Sequence, residues 1–291
     1  MKAYTEKTGN PALTLAGTAW VPTIASAFGM ENSSWYDVDG EMCNRVNMEG
    51  LEEYVAFMMK LYNEGLLDAD FPINNGSIVY EKFANNSALC IYDWFYMAQS
   101  IQDAVALSNP DAELVMAPAF SKDKNSDATI AVSYGNSQYY VLTENCANPE
   151  HAIIYLNSVS QMDNFLKMYL GEENVSYEVR NGQYYPIFPA FSDYGNGTAF
   201  VGAGNPVELK IMWLARARKT DVIAKLFDTA NENTEQYVRN DNYVGMASYL
   251  PAYKEYMGQL DTLFGDMLLQ GVVEGTDAKS VVDEMISAWE S

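Results

Sequence analysis

The chain has 291 residues, a length that suits two domains of roughly 150 residues each. With 48% hydrophobic and 13% aromatic residues it can build a packed core, which excludes a disordered chain. Lys and Arg number 17 against 39 Asp and Glu, and the resulting net charge of −22 repels nucleic acid and anionic lipid and favours a neutral or cationic ligand.

In chain order, Ala12–Leu15 is short and apolar and reads as a strand. It enters the loop Gly17–Pro22, with a helix predicted over Thr23–Phe28. Asp39-Gly40, after Trp35–Val38, is a hairpin signal. The clearest helix follows Asn47. Leu51, Tyr54, Val55, Met58, Leu61 and Tyr62 recur at helical spacing, Asn47 suits the N-cap, and Gly65 suits the position just past the helix end. A second helix is predicted over Ser77–Ala84, then a buried strand over Ala88–Tyr92 that ends at Asp93-Trp94. Leu114–Pro118 and Gln138–Leu142 read as further strands on either side of the polar loop Ser121–Asp127. Asn148-Pro149-Glu150 supplies a cap, a first-turn Pro and a first-turn acid, and opens a helix expected to reach Met168. Tyr177–Pro186 reads as a hairpin around Asn181-Gly182. The Gly-, Asn- and Ser-rich stretch Phe191–Pro206 reads as a long loop or boundary. Helices are predicted over Val207–Arg218, a middle segment through Val238, Tyr253–Leu269 and Ala278–Trp289. In the last, Val281, Val282, Met285, Ile286 and Trp289 form one apolar stripe. Strands alternating with helices predict an α/β fold with a mainly parallel sheet.

The residues exclude several chemistries. Cys43, Cys90 and Cys146 are far apart, without the spacing of a disulfide framework or a zinc site. The single His, His151, excludes any site needing two imidazoles and reads as a surface residue in a helix's first turn. No Gly-x-Ser-x-Gly elbow, phosphate-binding loop or dinucleotide fingerprint is present. Asp37-x-Asp39-Gly40-Glu41 lacks the spacing of a calcium loop and reads as a turn, and Asp68 and Asp70 read as a solvated loop. No cofactor is expected. No apolar run reaches the length of a membrane span, and no apolar leader follows Met1.

Four stretches share a pattern: "LEEYVAFMMKLYNEGLLDADF" at 51–71, "FANNSALCIYDW" at 83–94, "NPEHAIIYLN" at 148–157 and "YLGEENVSYEVRNG" at 169–182. In order and spacing they resemble the extracellular solute-binding proteins of carbohydrate ABC transporters. The closer likeness is to the oligosaccharide-binding lipoproteins of Gram-positive bacteria, with maltose-binding protein a distant relative. The resemblance implies a periplasmic-binding-protein-like fold of type II, α/β, with two lobes that close on ligand, the first lobe incomplete, and a helical C-terminal part. Residues 1–128 would form the C-terminal lobe. Residues 129–172 would cross to the N-terminal lobe, and 173–291 would return to the C-terminal lobe and hinge. The family's signal peptide, lipid-anchor Cys and first strands are not found in the chain. By the resemblance the parent protein is extracellular and membrane-anchored, a monomer, partnered by permease subunits and a carbohydrate.

Sugar recognition requires a flat aromatic face for the pyranose C–H surface and planar polar groups for the hydroxyls. The resemblance places a stacking Trp at Trp94, beside Asp93 and Tyr92; from the residues alone, a core Trp under a loop serves as well. Trp20 in its Gly-Thr-Ala-Trp loop, and Tyr134 and Asn136 at the expected lobe crossing, are further candidates. Trp213 is another, although its place inside a predicted helix favours the core. Trp35 reads as a lid on its hairpin and Trp289 as core. Two other activities compete: a glycan-active hydrolase, which would need a facing pair of carboxyls, and a peptide receptor.

Overall fold

The computed structural model describes residues 1–30, 35–38, 41–132, 140–193, 211, 215, 220–240 and 251–291. They fall into two units, Met1–Gly135 with Thr229–Ser291, and Asn136–Asp228.

The first unit begins with helix α1 (Lys2–Thr8), which buries none of its residues and so carries no apolar stripe for the sequence to reveal. Ala12–Leu15 then runs extended between two other segments. Leu13 bridges Leu67 on one side and Cys90 on the other, both in parallel. The amide of Asp68 bonds the Leu13 carbonyl at 2.8 Å, and the amide of Cys90 bonds the Ala12 carbonyl at 2.8 Å. This narrow ladder stands where strands are predicted at Ala12–Leu15 and Ala88–Tyr92. The second of these is not buried, because Leu89 and Tyr92 are 45% and 44% exposed. A short apolar run does not reveal how many of its faces will be covered.

Helix α2 (Pro22–Ala25) continues as a 3-10 turn through Phe28. Strands β1 (Trp35–Val38) and β2 (Glu41–Asn44) pair antiparallel, with Trp35 opposite Asn44 and Val38 opposite Glu41. The Asp39-Gly40 step between them lies outside the described residues.

Helix α3 (Gly50–Asn63) buries the predicted stripe Leu51, Tyr54, Val55, Met58 and Leu61. Asn47 does not cap it. Arg45–Asn47 forms a separate 3-10 turn in which the Asn44 side chain accepts the Val46 amide at 3.0 Å, and Glu49 occupies the α3 N-cap. Gly65 takes φ +66 just past the helix, as predicted. Gly50 sits so close to the chain of α2 that an added Cβ would lie 1.8 Å from the Phe28 carbonyl oxygen.

Helix α4 (Gly76–Ala84) is capped by Asn75, whose side chain accepts the Ile78 amide at 3.1 Å. Helix α5 (Ala98–Ser108) packs on α4 through Ile101, Val105 and Ala84. The predicted strand Leu114–Pro118 is irregular; of the predicted strand Gln138–Leu142, Gln138 and Tyr139 lie outside the described residues and Tyr140, Val141 and Leu142 are exposed coil.

In the second unit, the helix expected from Pro149 to Met168 is two helices, α6 (Pro149–Val159) and α7 (Met162–Tyr169). At the break the Ser160 hydroxyl bonds the Asn157 carbonyl at 3.0 Å, and the Asn164 amide group bonds the Ser158 carbonyl at 2.9 Å. Short polar side chains here satisfy the carbonyls that a continuous helix would have used. Strands β4 (Tyr177–Arg180) and β5 (Gln183–Pro186) form the predicted hairpin. Asn181 and Gly182 both take positive φ, +52 and +75, as a two-residue turn requires. Phe165, Tyr169, Leu170, Tyr177 and Phe191 make this unit's buried clusters, with α8 (Ala190–Asp193) supplying Phe191.

Of the helix predicted over Val207–Arg218, only Ile211 and Ala215 are described, both helical. Helix α9 (Asp221–Tyr237) leads into β6 (Val238–Asn240), which pairs in parallel with β3 (Ile130–Val132). Helices α10 (Pro251–Glu274) and α11 (Ala278–Glu290) pack against α3. Phe264, Leu268, Val272, Val281, Val282 and Met285 meet Leu51, Tyr54, Val55 and Met58 in the main core. Each fully buried side chain of this size contributes about 1.5–3 kcal/mol relative to exposure. Trp289 is partly buried on that core, and the Trp35 indole N–H meets the Met257 sulfur at 3.4 Å. Helices therefore dominate. The pairing between described strands is mixed rather than mainly parallel: β1/β2 and β4/β5 are antiparallel, β3/β6 parallel.

Candidate functional site

Three chain segments leave the carboxyl ends of the parallel ladder, where open α/β sheets hold their ligands. After Cys90 the chain runs through Tyr92 and Asp93 into the 3-10 turn Phe95–Met97, which the Met97 amide closes on the Trp94 carbonyl at 3.0 Å. One oxygen of Asp93 accepts the Trp94 amide at 2.7 Å. The Tyr80 phenol, carried by α4, lies beside the same carboxylate. Burial, then the neighbouring Asp93 carboxylate, push the Tyr80 phenol up to about 12. Burial and then the Asp93 charge also raise Tyr92.

Trp94 is 66% exposed and Tyr96 is 47% exposed. Their rings lie nearly parallel, 12° apart in plane with centroids at 6.0 Å. Trp94, Asp93 and Tyr92 are thus brought together with Tyr80 and Tyr96, in a group of flat apolar faces around one carboxylate. Contiguous exposed apolar surface marks interaction sites. A core role for Trp94 does not fit its exposure.

Trp20 is held differently. Its ring meets Tyr54 edge-on at 5.2 Å and Phe264 at 5.6 Å, and the Arg45 guanidinium carbon lies 5.4 Å above it. Arg45 is itself 4.1 Å over Phe264 and paired with Asp261 at 3.0 Å. The Trp20 loop is pinned by the fully buried Tyr54 hydroxyl, which donates to the Ala19 carbonyl at 2.6 Å and accepts the Val21 amide at 2.9 Å. These contacts set Trp20 half-buried against the core cluster. Tyr134, Asn136 and Trp213 lie outside the described residues.

Two members of the group escape sequence reading. Tyr96 lies two residues past Trp94, and its exposure is the only sign that distinguishes it. Tyr80 is one aromatic on a helix, and nothing local announces that it lies beside Asp93.

At the second carboxyl end, Asp68 is buried rather than solvated. It accepts Thr14 at 2.7 Å, Asn74 at 2.8 Å and Lys82 at 2.7 Å, while Asp70 pairs with Lys82 at 3.1 Å. Burial alone would raise the Asp68 carboxyl, but the bonds from Lys82, Thr14, Asn74 and the Asp70 amide outweigh it and hold the carboxyl below its usual value. This cluster ties the ladder to α4. Among the described residues no group of three His, Cys, Asp or Glu could hold a metal ion. His151 is exposed. No helix of the described residues is long and apolar enough to cross a membrane.

No family model matches the chain. It is 27% identical over 240 residues to an uncharacterised protein encoded in the butB 5′ region of Niallia circulans, a match covering 82% of this chain and 93% of that one. Among solved structures it is similar to the alginate-binding protein AlgQ2 in its calcium-free form (TM-score 0.62, 14% identity). It is also similar to the N-glycan transport solute-binding protein NgtS of Streptococcus pneumoniae (TM-score 0.58, 12% identity). A third likeness is to a solute-binding protein of Bifidobacterium longum infantis, associated with an ABC transporter and binding human milk oligosaccharides (TM-score 0.58, 13% identity). Each match covers 99% of this chain but only 62%, 61% and 64% of the respective structure. All three are binding proteins. The fold of this chain is that of the periplasmic-binding-protein-like solute-binding proteins.

Proposed function

We propose that this chain is the sugar-binding part of an extracellular receptor that delivers an oligosaccharide to the permease of an ABC importer, without making or breaking a bond. The observation that carries the reading is the open pair Trp94 and Tyr96 beside Asp93, at the carboxyl end of a parallel ladder, in a fold shared with glycan-binding proteins. Stacked or near-parallel aromatic faces suit the C–H surface of a pyranose. Asp93 and the hydroxyls of Tyr92 and Tyr80 suit its hydroxyl groups. Trp20 and Trp213 enter as further ligand contacts from their aromatic character, and Tyr134 and Asn136 by the resemblance. So does the lobe assignment, with 1–128 in the C-terminal lobe, 129–172 crossing to the N-terminal lobe and 173–291 returning.

Titration calorimetry of the chain against neutral oligosaccharides tests the reading. Saturable binding that Trp94→Ala weakens supports it. Absence of binding to every sugar, with tight binding of a peptide, refutes it. Turnover of a chromogenic glycoside that is lost on changing one carboxylate would refute the non-enzymatic part.

A further inference from the structure

We propose that the Trp94 platform accepts uncharged oligosaccharides and rejects those carrying carboxylates, such as uronate oligomers. This inference rests on the receptor reading above and narrows its substrate class. Its first support is the charge of the run of sequence that carries the platform. From Phe83 to Ser121 the chain contains Asp93, Asp103, Asp111 and Glu113 and not one Lys, Arg or His. That run holds Tyr92, Asp93, Trp94 and Tyr96, so the platform's own segment is wholly anionic. The nearest basic residue along the chain on the amino side, Lys82, is spent on Asp68 and Asp70 at 2.7 and 3.1 Å.

The second support is the hydrogen-bonding character of the site. Among the described residues of the group Asp93 carries the one formal charge, and its carboxylate is an acceptor only. The Trp94 amide occupies one of its roughly four acceptor positions. What remains takes hydroxyl donors, and a ligand carboxylate has none to give at neutral pH. The third support is global. With a net charge of −22 the protein repels an approaching polyanion, whereas a neutral chain of sugars feels no such barrier.

The test uses matched pairs that differ only at C6: β-1,4-mannotetraose against the β-1,4-mannuronate tetramer, and cellotetraose against its glucuronate counterpart. Each is titrated calorimetrically into the chain at low and high salt, and into Asp93→Asn. The expected result is binding of at least one neutral member, with its uronate partner weaker by about tenfold or more at low salt, as one like-charge contact at a partly dry surface implies. The gap should narrow at high salt and in Asp93→Asn. A uronate that binds as tightly as its neutral partner overturns the inference and leaves the receptor reading standing. A gap that neither salt nor Asp93→Asn changes overturns it as well, because sterics at C6 would then be the cause. If neither member of any pair binds, the inference is overturned, and the receptor reading falls with it only when the wider panel of neutral oligosaccharides fails as well. If Asp93→Asn does not fold, the salt series on the unaltered chain decides.

Discussion

Replacing Tyr54 by Phe removes one oxygen and nothing else, and the structure says what that oxygen does. Tyr54 is fully buried in α3, and its hydroxyl serves two backbone groups of the Gly17–Val21 loop, the Ala19 carbonyl at 2.6 Å and the Val21 amide at 2.9 Å. In the variant both groups lie in a dry core without a partner. Each such group costs about 1–3 kcal/mol, so the loss is about 2–6 kcal/mol, and about 2–4 kcal/mol after the loop relaxes. That is a large fraction of the ~5–15 kcal/mol that holds a typical domain folded. Urea titration followed by circular dichroism should show the midpoint falling by about 1 M, for a slope near 3 kcal/mol per M. The ring volume is unchanged, so no cavity contributes. A change below about 0.5 kcal/mol would show that the bonds contribute nothing net, and would refute the claim that Tyr54 anchors the Trp20 loop. A second signature is alkaline. Burial, only partly offset by the Val21 amide, raises the Tyr54 phenol well above its ordinary value of 10.0. The folded state therefore prefers the neutral phenol. That contribution is complete below pH 10 and is lost as pH rises above it towards the folded value, so Tyr54→Phe should flatten the alkaline loss of stability.

Trp94→Ala should leave stability within about 1 kcal/mol, since the ring is 66% exposed, while weakening sugar binding at least tenfold; both are read on one protein by thermal melting and calorimetry. Gly50→Ala should destabilise by about 1–3 kcal/mol in urea titration because its Cβ would meet the Phe28 backbone, whereas Gly76→Ala, with nothing within 4 Å, should be neutral or slightly stabilising. Asp68→Asn should cost about 1–3 kcal/mol at pH 7, through the weakened bonds to Lys82, Thr14 and Asn74. The Asp68 carboxyl is held below its unfolded value, so its contribution is present above about pH 4 and lost as pH falls through the lowered folded value. An acid titration of stability should therefore be shallower in Asp68→Asn than in the unaltered chain.

The sequence by itself determined the features whose cause is local. The stripe from Leu51 to Leu61 made α3, with Gly65 at its end, because helical spacing and a left-handed glycine act within a few residues. Asn181-Gly182 made its hairpin for the same reason. Tyr92, Asp93 and Trp94 were legible as a group because they are contiguous, and the resemblance supplied their proposed role. Tertiary structure decided the rest. Whether Ala88–Tyr92 would be buried depended on Leu13, which bridges Cys90, and on what lay over its other face. Trp20 and Trp94 look alike as loop tryptophans. One is set against the core by Phe264 and Arg45, and the other stands open beside Tyr96. Tyr80 stands beside Asp93 through the tertiary placement of α4. Propensity and turn chemistry are properties of neighbours in sequence, whereas burial and pairing depend on residues distant in the chain that no local pattern names.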